Sequence, residues 1–203
     1  MNEIKLKGII RDIQPSHKIK DVEYSKANLV VKRKDGKEDT LNLRFKKFSN
    51  IYSEDTEIEL SGNVRSYSRQ LENGKNKVDI YVFTYFDKPD LDENDQEVSN
   101  GFDIDGRICK IDELRATARG KQNVHFVLAN NLLIEDTHQK LNSYLPCVAW
   151  GKVAKDIAKL SINNKIRIKG ELHSREYTKV LEDGSIEIRV AHELLVTSFE
   201  ILE

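Results

Sequence analysis

The chain has 203 residues, 38% hydrophobic and 33% charged, with 33 Lys and Arg against 34 Asp and Glu for a net charge of −1. That length accommodates one or two domains with cores of their own, and the near-neutral total speaks against a uniformly basic coat for nucleic acid. No apolar run approaches the roughly 20 residues that a membrane span needs, and the opening MNEIKLKGII lacks the apolar stretch of a signal peptide. A soluble, cytoplasmic protein with no membrane contact is expected. Cys109 and Cys147 have no CxxC spacing and sit in apolar strand patterns, which predicts buried free thiols in a reducing compartment.

Taken in order, Ile4 and Leu6 alternate with Lys5 and Lys7 ahead of Gly8, a strand over 2–13 with a glycine where it bends or is closely approached. Residues 14–25 are polar and read as loop. Residues 27–33 form a second strand, and KDGK at 34–37 is an Asp-Gly hairpin turn. Leu41, Leu43 and Phe45 alternate with Asn42, Arg44 and Lys46 in a third. Residues 47–55 have room for a short helix at most. Ile58, Leu60, Gly62 and Val64 alternate with polar residues in a fourth strand, ENGK at 72–75 turns the chain, and 78–86 is a fifth. Five short strands with a connector after the third match an OB barrel. Residues 87–100 hold six acids against one lysine and read as a flexible acidic linker.

Residues 101–203 repeat the plan. A strand covers 101–111, a loop 112–122, a second strand 123–129 and a long polar stretch 130–143. Then Tyr144, Pro146, Val148 and Trp150 share one parity, and the small apolar Leu145, Cys147 and Ala149 share the other. Successive side chains of a strand point to opposite faces, so Tyr144 and Trp150 should look outward from a barrel. Val153, Ala154, Ile157, Ala158 and Leu160 predict a helix of about three turns, stopped by Asn163-Asn164. Ile166, Ile168, Gly170 and Leu172 alternate with Arg167, Lys169, Glu171, His173, Arg175 and Tyr177, and EDG at 182–184 leads into a last strand over 185–201. The series Ile58-x-Leu60-x-Gly62-x-Val64-x-Ser66 matches Ile166-x-Ile168-x-Gly170-x-Leu172-x-Ser174. The expected fold is therefore all-β: two tandem five-stranded OB-fold barrels, the second with a helix between strands three and four. The domains would be 1–86 and 101–203, joined by the linker 87–100.

The ordered set CVAWGKVA, an amphipathic helix and IRIKGELHSREY, with Gly106-Arg107-Ile108, Leu114-Arg115 and residues 124–129 upstream, resembles the bacterial single-stranded DNA-binding proteins. The resemblance covers 101–203 and implies base-stacking aromatics at Trp150, Tyr144 and Tyr177. Arg107, Arg115, Arg167, His173 and Arg175 are the matching candidates for phosphate contact. The loop LRATARGKQ adds Arg119 and Lys121 with no acid, a composition suited to tracking a backbone. Two departures stand out. Where the family places another aromatic after strand two, this chain reads NNLLI at 130–134. The sequence ends SFEILE, within a strand, where the family carries an acidic, phenylalanine-tipped tail, so that recruitment route is not expected.

Residues 1–86 carry 17 basic against 13 acidic residues, whereas 101–203 carry 15 of each. The first half is the electrostatic candidate, through Arg44, Arg65, Tyr67 and Arg69, and the second the aromatic one. Tyr81, Phe83 and Tyr85 share a face of strand five, whose other face is also apolar, and are expected to pack between barrels or protomers. A homodimer would assemble four barrels; a monomer is the other expectation. Catalysis is not expected. The glycine spacing at 101–106 lacks the Lys-Ser/Thr of a phosphate-binding loop, Val196 stands where a zinc-protease motif opened by His192-Glu193 needs its second histidine, and no histidines show ligand spacing. No cofactor and no metal are expected. Two function classes remain open: sequence-nonspecific binding and protection of single-stranded DNA, with RNA as an alternative ligand, or an OB-fold adaptor that binds protein.

Overall fold

The computed structural model describes residues 1–47, 53–70, 74, 76–84, 100–134, 139–181 and 183–202. The first barrel is built from β1 (Asn2–Ile19), β2 (Val22–Lys32), β3 (Glu38–Lys46), β4 (Thr56–Gln70) and β5 (Asn76–Thr84). The second contains β6 (Asn100–Ile111), β7 (Arg115–Ala116), β8 (Gln122–Ile134), β9 (Gln139–Trp150), α1 (Gly151–Ile157), β10 (Lys165–Val180) and β11 (Ile186–Leu202). Strand order is β2-β3-β5-β4-β1 in the first, closed by β1–β2, and β6-β10-β11-β9-β8-β7 in the second, closed by β6–β8. The expected pair of OB barrels is thus the observed fold. Inward positions are as the alternation predicts: Leu41, Leu43 and Phe45 are buried in the first barrel, and Leu145, Cys147 and Ala149 in the second, where Ala154 and Ile157 of α1 join the core.

The two barrels share one sheet. β1 pairs antiparallel with β6 through five residue pairs, from Asn2↔Ile104 to Leu6↔Asn100. With Gly8 and Gly106 as equivalent points, Ile4 lies opposite its own counterpart, Phe102, so a local two-fold axis passes between them. The side chains obey the same symmetry. Buried Asn2 donates from Nδ2 to the Val64 carbonyl and accepts from the Val64 N–H, at 2.8 and 2.9 Å. Buried Asn100 does the same with Leu172, at 2.7 and 3.0 Å. Each asparagine thereby replaces a missing ladder partner inside the protein. Gly62 and Gly170 sit where these strands bend: a Cβ would come within 2.4 Å of the Phe83 carbonyl oxygen and 1.9 Å of that of Leu195. No other residue type fits there without backbone movement.

Several local expectations are corrected. Residues 14–19 and 22–25, read as loop, extend the β1–β2 hairpin to Ile19↔Val22, with register breaks after Arg11 and Pro15. Residues 130–134 and 139–143, read as a polar connection, continue β8 and β9 out to Ile134↔Gln139. The first extension is exposed on both faces over 14–23, and the second buries the polar Asn130 and Ser143 instead of apolar residues, so neither shows an apolar alternation. α1 spans seven residues, not three turns, because the Lys159 and Leu160 N–H groups bond to the third carbonyl back, at 3.2 and 2.9 Å, and tighten the chain out of the helix. Cys147 is buried as expected, but Cys109 is exposed: Phe102, Ile104, Gly106 and Ile108 point inward, and Cys109 shares the outward parity of Arg107. Residues 85–99, with Tyr85 and nearly all of the acidic linker, lie outside the described residues, as do 48–52; Asn100 belongs to β6.

The β10–β11 hairpin runs past the mouth of its own barrel and rests on the other. Ser174 Oγ accepts from the Thr40 N–H at 2.9 Å, and the fully buried Asp39 carboxylate accepts from the Ser174 N–H and from Arg33 Nε at 2.6 Å. The first barrel reciprocates with less charge: Ser66 Oγ accepts from the Tyr144 N–H at 2.8 Å. Ser66 and Ser174 are the matching ends of the repeated strand-four motif, so the repeat encodes a reciprocal clasp.

Replacing Asn100 with Ala should leave the Leu172 N–H and C=O buried and unpaired, a loss of roughly 1–3 kcal/mol in urea unfolding; an unchanged midpoint would show that water satisfies them. Burial alone would push Asp39 up, but Arg33 and the Ser174 N–H outweigh it and hold the carboxyl below its ordinary value. A folded-state pKa below the unfolded one stabilises fully above the unfolded value, and that contribution is lost as pH falls through the folded value. Asp39→Asn should therefore be less stable than the parent at pH 7, and the gap should close as the medium is taken below the carboxylate range. A gap that persists in acid would mean that the clasp does not depend on charge.

Candidate nucleic-acid interface

On the outer face of the second barrel the β8–β9 register sets residues opposite one another in four pairs: Trp150 and Asn123, Val148 and His125, Pro146 and Val127, Tyr144 and Ala129. Six residues at about 3.4 Å each place Trp150 and Tyr144 about 20 Å apart at the two ends of this strip. Tyr144 is exposed. Trp150 is half-buried and stands outside the core cluster. β7 brings Arg115 opposite Asn123, one strand from Trp150, and the turn after it carries Arg119 and delivers Lys121, whose Nζ stands 5.1 Å from the indole centroid. An aromatic plane next to mobile cations suits a base with its phosphate.

β11 pairs with β9 at Leu194–Val196 against Cys147–Ala149, and the inward parity of Leu194 and Val196 puts Leu195 and Glu193 on the same outer surface as Val148. Across the β10–β11 register that surface continues as His173, Arg175 and Tyr177. Arg175 lies 5.9 Å from the Tyr177 ring centroid and is largely exposed. His173 Nε2 meets Glu171 Oε2 at 2.9 Å.

Other predicted cations are engaged elsewhere. Arg167 lies among Asp105, Glu200 and Asp103 at 2.7, 3.2 and 3.7 Å, and the Asp105 hydrogen bond raises its pKa further. Arg107, in register with Ala129 at the Tyr144 end of the strip, donates to the Asn163 carbonyl at 2.9 Å.

The first barrel presents different chemistry. Its outer face carries Lys26 and Asn28 on β2, Asn42 and Arg44 on β3, Tyr81 on β5 and Tyr67 on β4. The Arg44 guanidinium stands 4.3 Å from the Tyr81 centroid and 5.7 Å from that of Tyr67. Arg65, expected at the surface, is buried, with its guanidinium 3.9 Å from the Phe83 ring centroid. Phe83 is itself buried and meets Tyr24, 6.2 Å between centroids. Arg69 pairs with Asp79 at 3.2 Å.

The sequence did not mark His125 and Lys26, and it marked His192 only as the start of an incomplete zinc motif. The outward parity of 123–129 exposes His125 once the strand is accepted; His192 becomes relevant only when the hairpin is seen to reach the other barrel. Among the described residues no cluster of His, Cys, Asp or Glu could hold a metal, and no helix is long and apolar enough to cross a membrane.

Comparison with known proteins agrees with this architecture. No curated protein matches the chain significantly. Two solved structures of the single-stranded DNA binding protein from Thermus aquaticus, a deletion mutant and the wild type, superpose with TM-scores of 0.70 and 0.65. Each is 16% identical and covers 100% of this chain, and the alignments take in 95% and 93% of theirs. At that identity the likeness establishes the fold. The model of the single-strand binding protein family matches residues 99–202, half of the chain and the whole of the second barrel. This protein belongs to the single-strand binding protein family.

Proposed function

We propose that the protein coats and protects single-stranded DNA, without base specificity, in replication, recombination or the DNA metabolism of a phage or mobile element. Residues 1–86 and 101–203 act as two domains tethered by the acidic linker. The observation that carries this reading is the end of the β7–β8–β9 sheet, where a half-buried tryptophan outside the core is flanked by Arg115 and Lys121. Every base has a π-face, so an indole platform tolerates any sequence, and cations beside it contact only the backbone. One observation favours the second reading, an OB-fold adaptor for protein: Val180, Ile186 and Ile188 at the tip of the β10–β11 hairpin are 66%, 70% and 71% exposed.

A fluorescence titration with oligo-dT separates the two, because Trp150 is the one tryptophan in the chain. Single strand should quench its emission saturably, and duplex DNA, whose bases are already stacked, should not. Trp150→Ala should weaken binding by about 1–3 kcal/mol. The affinity should fall with salt, log K dropping by about 0.7 per phosphate contact for each unit of log salt. Emission that ignores saturating single strand would turn the assignment to the adaptor.

A further inference from the structure

The first barrel bears a groove of about 530 Å³ that no residue of the Trp150 strip lines, within the roughly 300–1,000 Å³ of ordinary ligand clefts. Its floor is the outer face of β2, β3 and β5, including Lys26, Asn42, Arg44 and Tyr81. Val190 and His192, from the hairpin of the other barrel, form its far wall. The strands of this floor are the counterparts of β8, β9 and β11. Where the second barrel has His125, Val148 and Trp150, the first has Lys26, Arg44 and Lys46. The same architecture therefore carries cations in place of an apolar, aromatic strip.

The charge balance within the groove favours an anion. Asp12 already accepts from Asn28 Nδ2 at 2.8 Å, and Asp79 is paired with Lys77 at 3.0 Å and with Arg69. Among the described residues, Lys26 and Arg44 have no carboxylate partner. The guanidinium of Arg44 is held by the rings of Tyr81 and Tyr67, a contact that uses its flat faces and leaves the in-plane N–H donors for a phosphate. His192 Nε2 bonds to the Thr40 carbonyl at 2.8 Å, so Nδ1 is the ring nitrogen left to take a proton.

Resting on the single-strand reading above, we propose that this groove is a second single-strand site built by both barrels, in which a phosphodiester stretch lies between Lys26 and Arg44 of the first and His192 of the second. The two faces then divide the work: the second barrel stacks bases and the groove holds backbone. Binding is linked to protons. Burial depresses the pKa of His192, and the groups around it are Lys26, Arg44, Lys77, Asp12 and Asp79 from the floor, Asp39 beneath, and Glu193 on its own strand. A phosphate brought against the ring adds an anion to that set and favours the imidazolium, so occupancy of the groove takes up a proton.

The test uses anisotropy of labelled oligo-dT with the full chain. One oligonucleotide has about 8 residues, within the roughly 4–16 that a single OB fold covers, and one has about 30. Lys26→Gln with Arg44→Gln should lower affinity for the long strand at least tenfold and its salt slope by about 1.4, at about 0.7 per lost contact. Affinity for the short strand and its quenching of Trp150 should be unchanged. For the parent, affinity for the long strand should rise between pH 8 and pH 5.5 more steeply than for His192→Gln, which keeps a donor for the Thr40 carbonyl. Parental affinity and salt slope for the long strand in the double variant would overturn the proposal, as would equal loss for both lengths with the native circular dichroism spectrum intact. Coincident pH profiles would remove His192 from the site. Failure of the parent to bind either length would instead sink the proposed function itself.

Discussion

Everything in this molecule depends on the five-residue pairing of β1 with β6. It merges two barrels into one continuous sheet through backbone hydrogen bonds, and the side-chain clasps of Ser66 and Ser174 brace the two barrels against each other. Because Ile4 faces its own counterpart Phe102, whatever one barrel does to the other is done back. Asn2 and Asn100 hold the strands that leave the seam, Gly62 and Gly170 let those strands bend, and four residues further on Ser66 and Ser174 reach the opposite barrel. A slip of one residue along the seam would turn every inward side chain of β1 outward and pull both serines off their partners.

Away from the seam the symmetry of the backbone is not matched by the side chains, and this difference carries the functional account. Ser174 meets a buried carboxylate backed by Arg33, whereas Ser66 meets only another serine and a backbone amide. The hairpin of the second barrel is accordingly the more firmly anchored and can serve as a wall for the groove on the first. The outer faces diverge likewise. Apolar Val127 and Pro146, partly exposed between Tyr144 and Trp150, suit bases; Lys26, Asn42 and Arg44 suit a backbone. Overall charge conceals this, since the basic excess of residues 1–86 is cancelled by the acidic linker.

What was legible in the sequence was whatever buries one face. The alternation of Leu41, Leu43 and Phe45, the Gly62 and Gly170 motifs and the outward parity of Trp150 all follow from a period of two imposed by a core. The β1–β2 extension is exposed on both faces over 14–23, and the β8–β9 extension buries the polar Asn130 and Ser143, so no apolar alternation announced a strand in either. Arg65 and Arg167 occupy outward positions, as their parity required, yet one is covered by Phe83 and the other captured by Asp105; parity gives direction, and only tertiary packing gives exposure. Asn2 looked like a polar residue at a strand start and Asn100 like the last residue of the acidic linker. Their role arises between strands some 60 to 70 residues apart in the chain, a distance over which no local pattern exists. Cys109 shares the outward parity of Arg107, so its exposure could have been read from the alternation.

Amide hydrogen exchange with and without saturating oligo-dT tests the central claim, that the outer faces of two joined barrels hold the strand. The account predicts slowed exchange in β7 to β9 around Arg115, Lys121 and Trp150, in β2 and β3 around Lys26 and Arg44, and at the β10–β11 hairpin near His192, while the buried β1–β6 seam is unaltered. Protection confined to the seam or the apolar hairpin tip, with β7 to β9 unchanged, would contradict it.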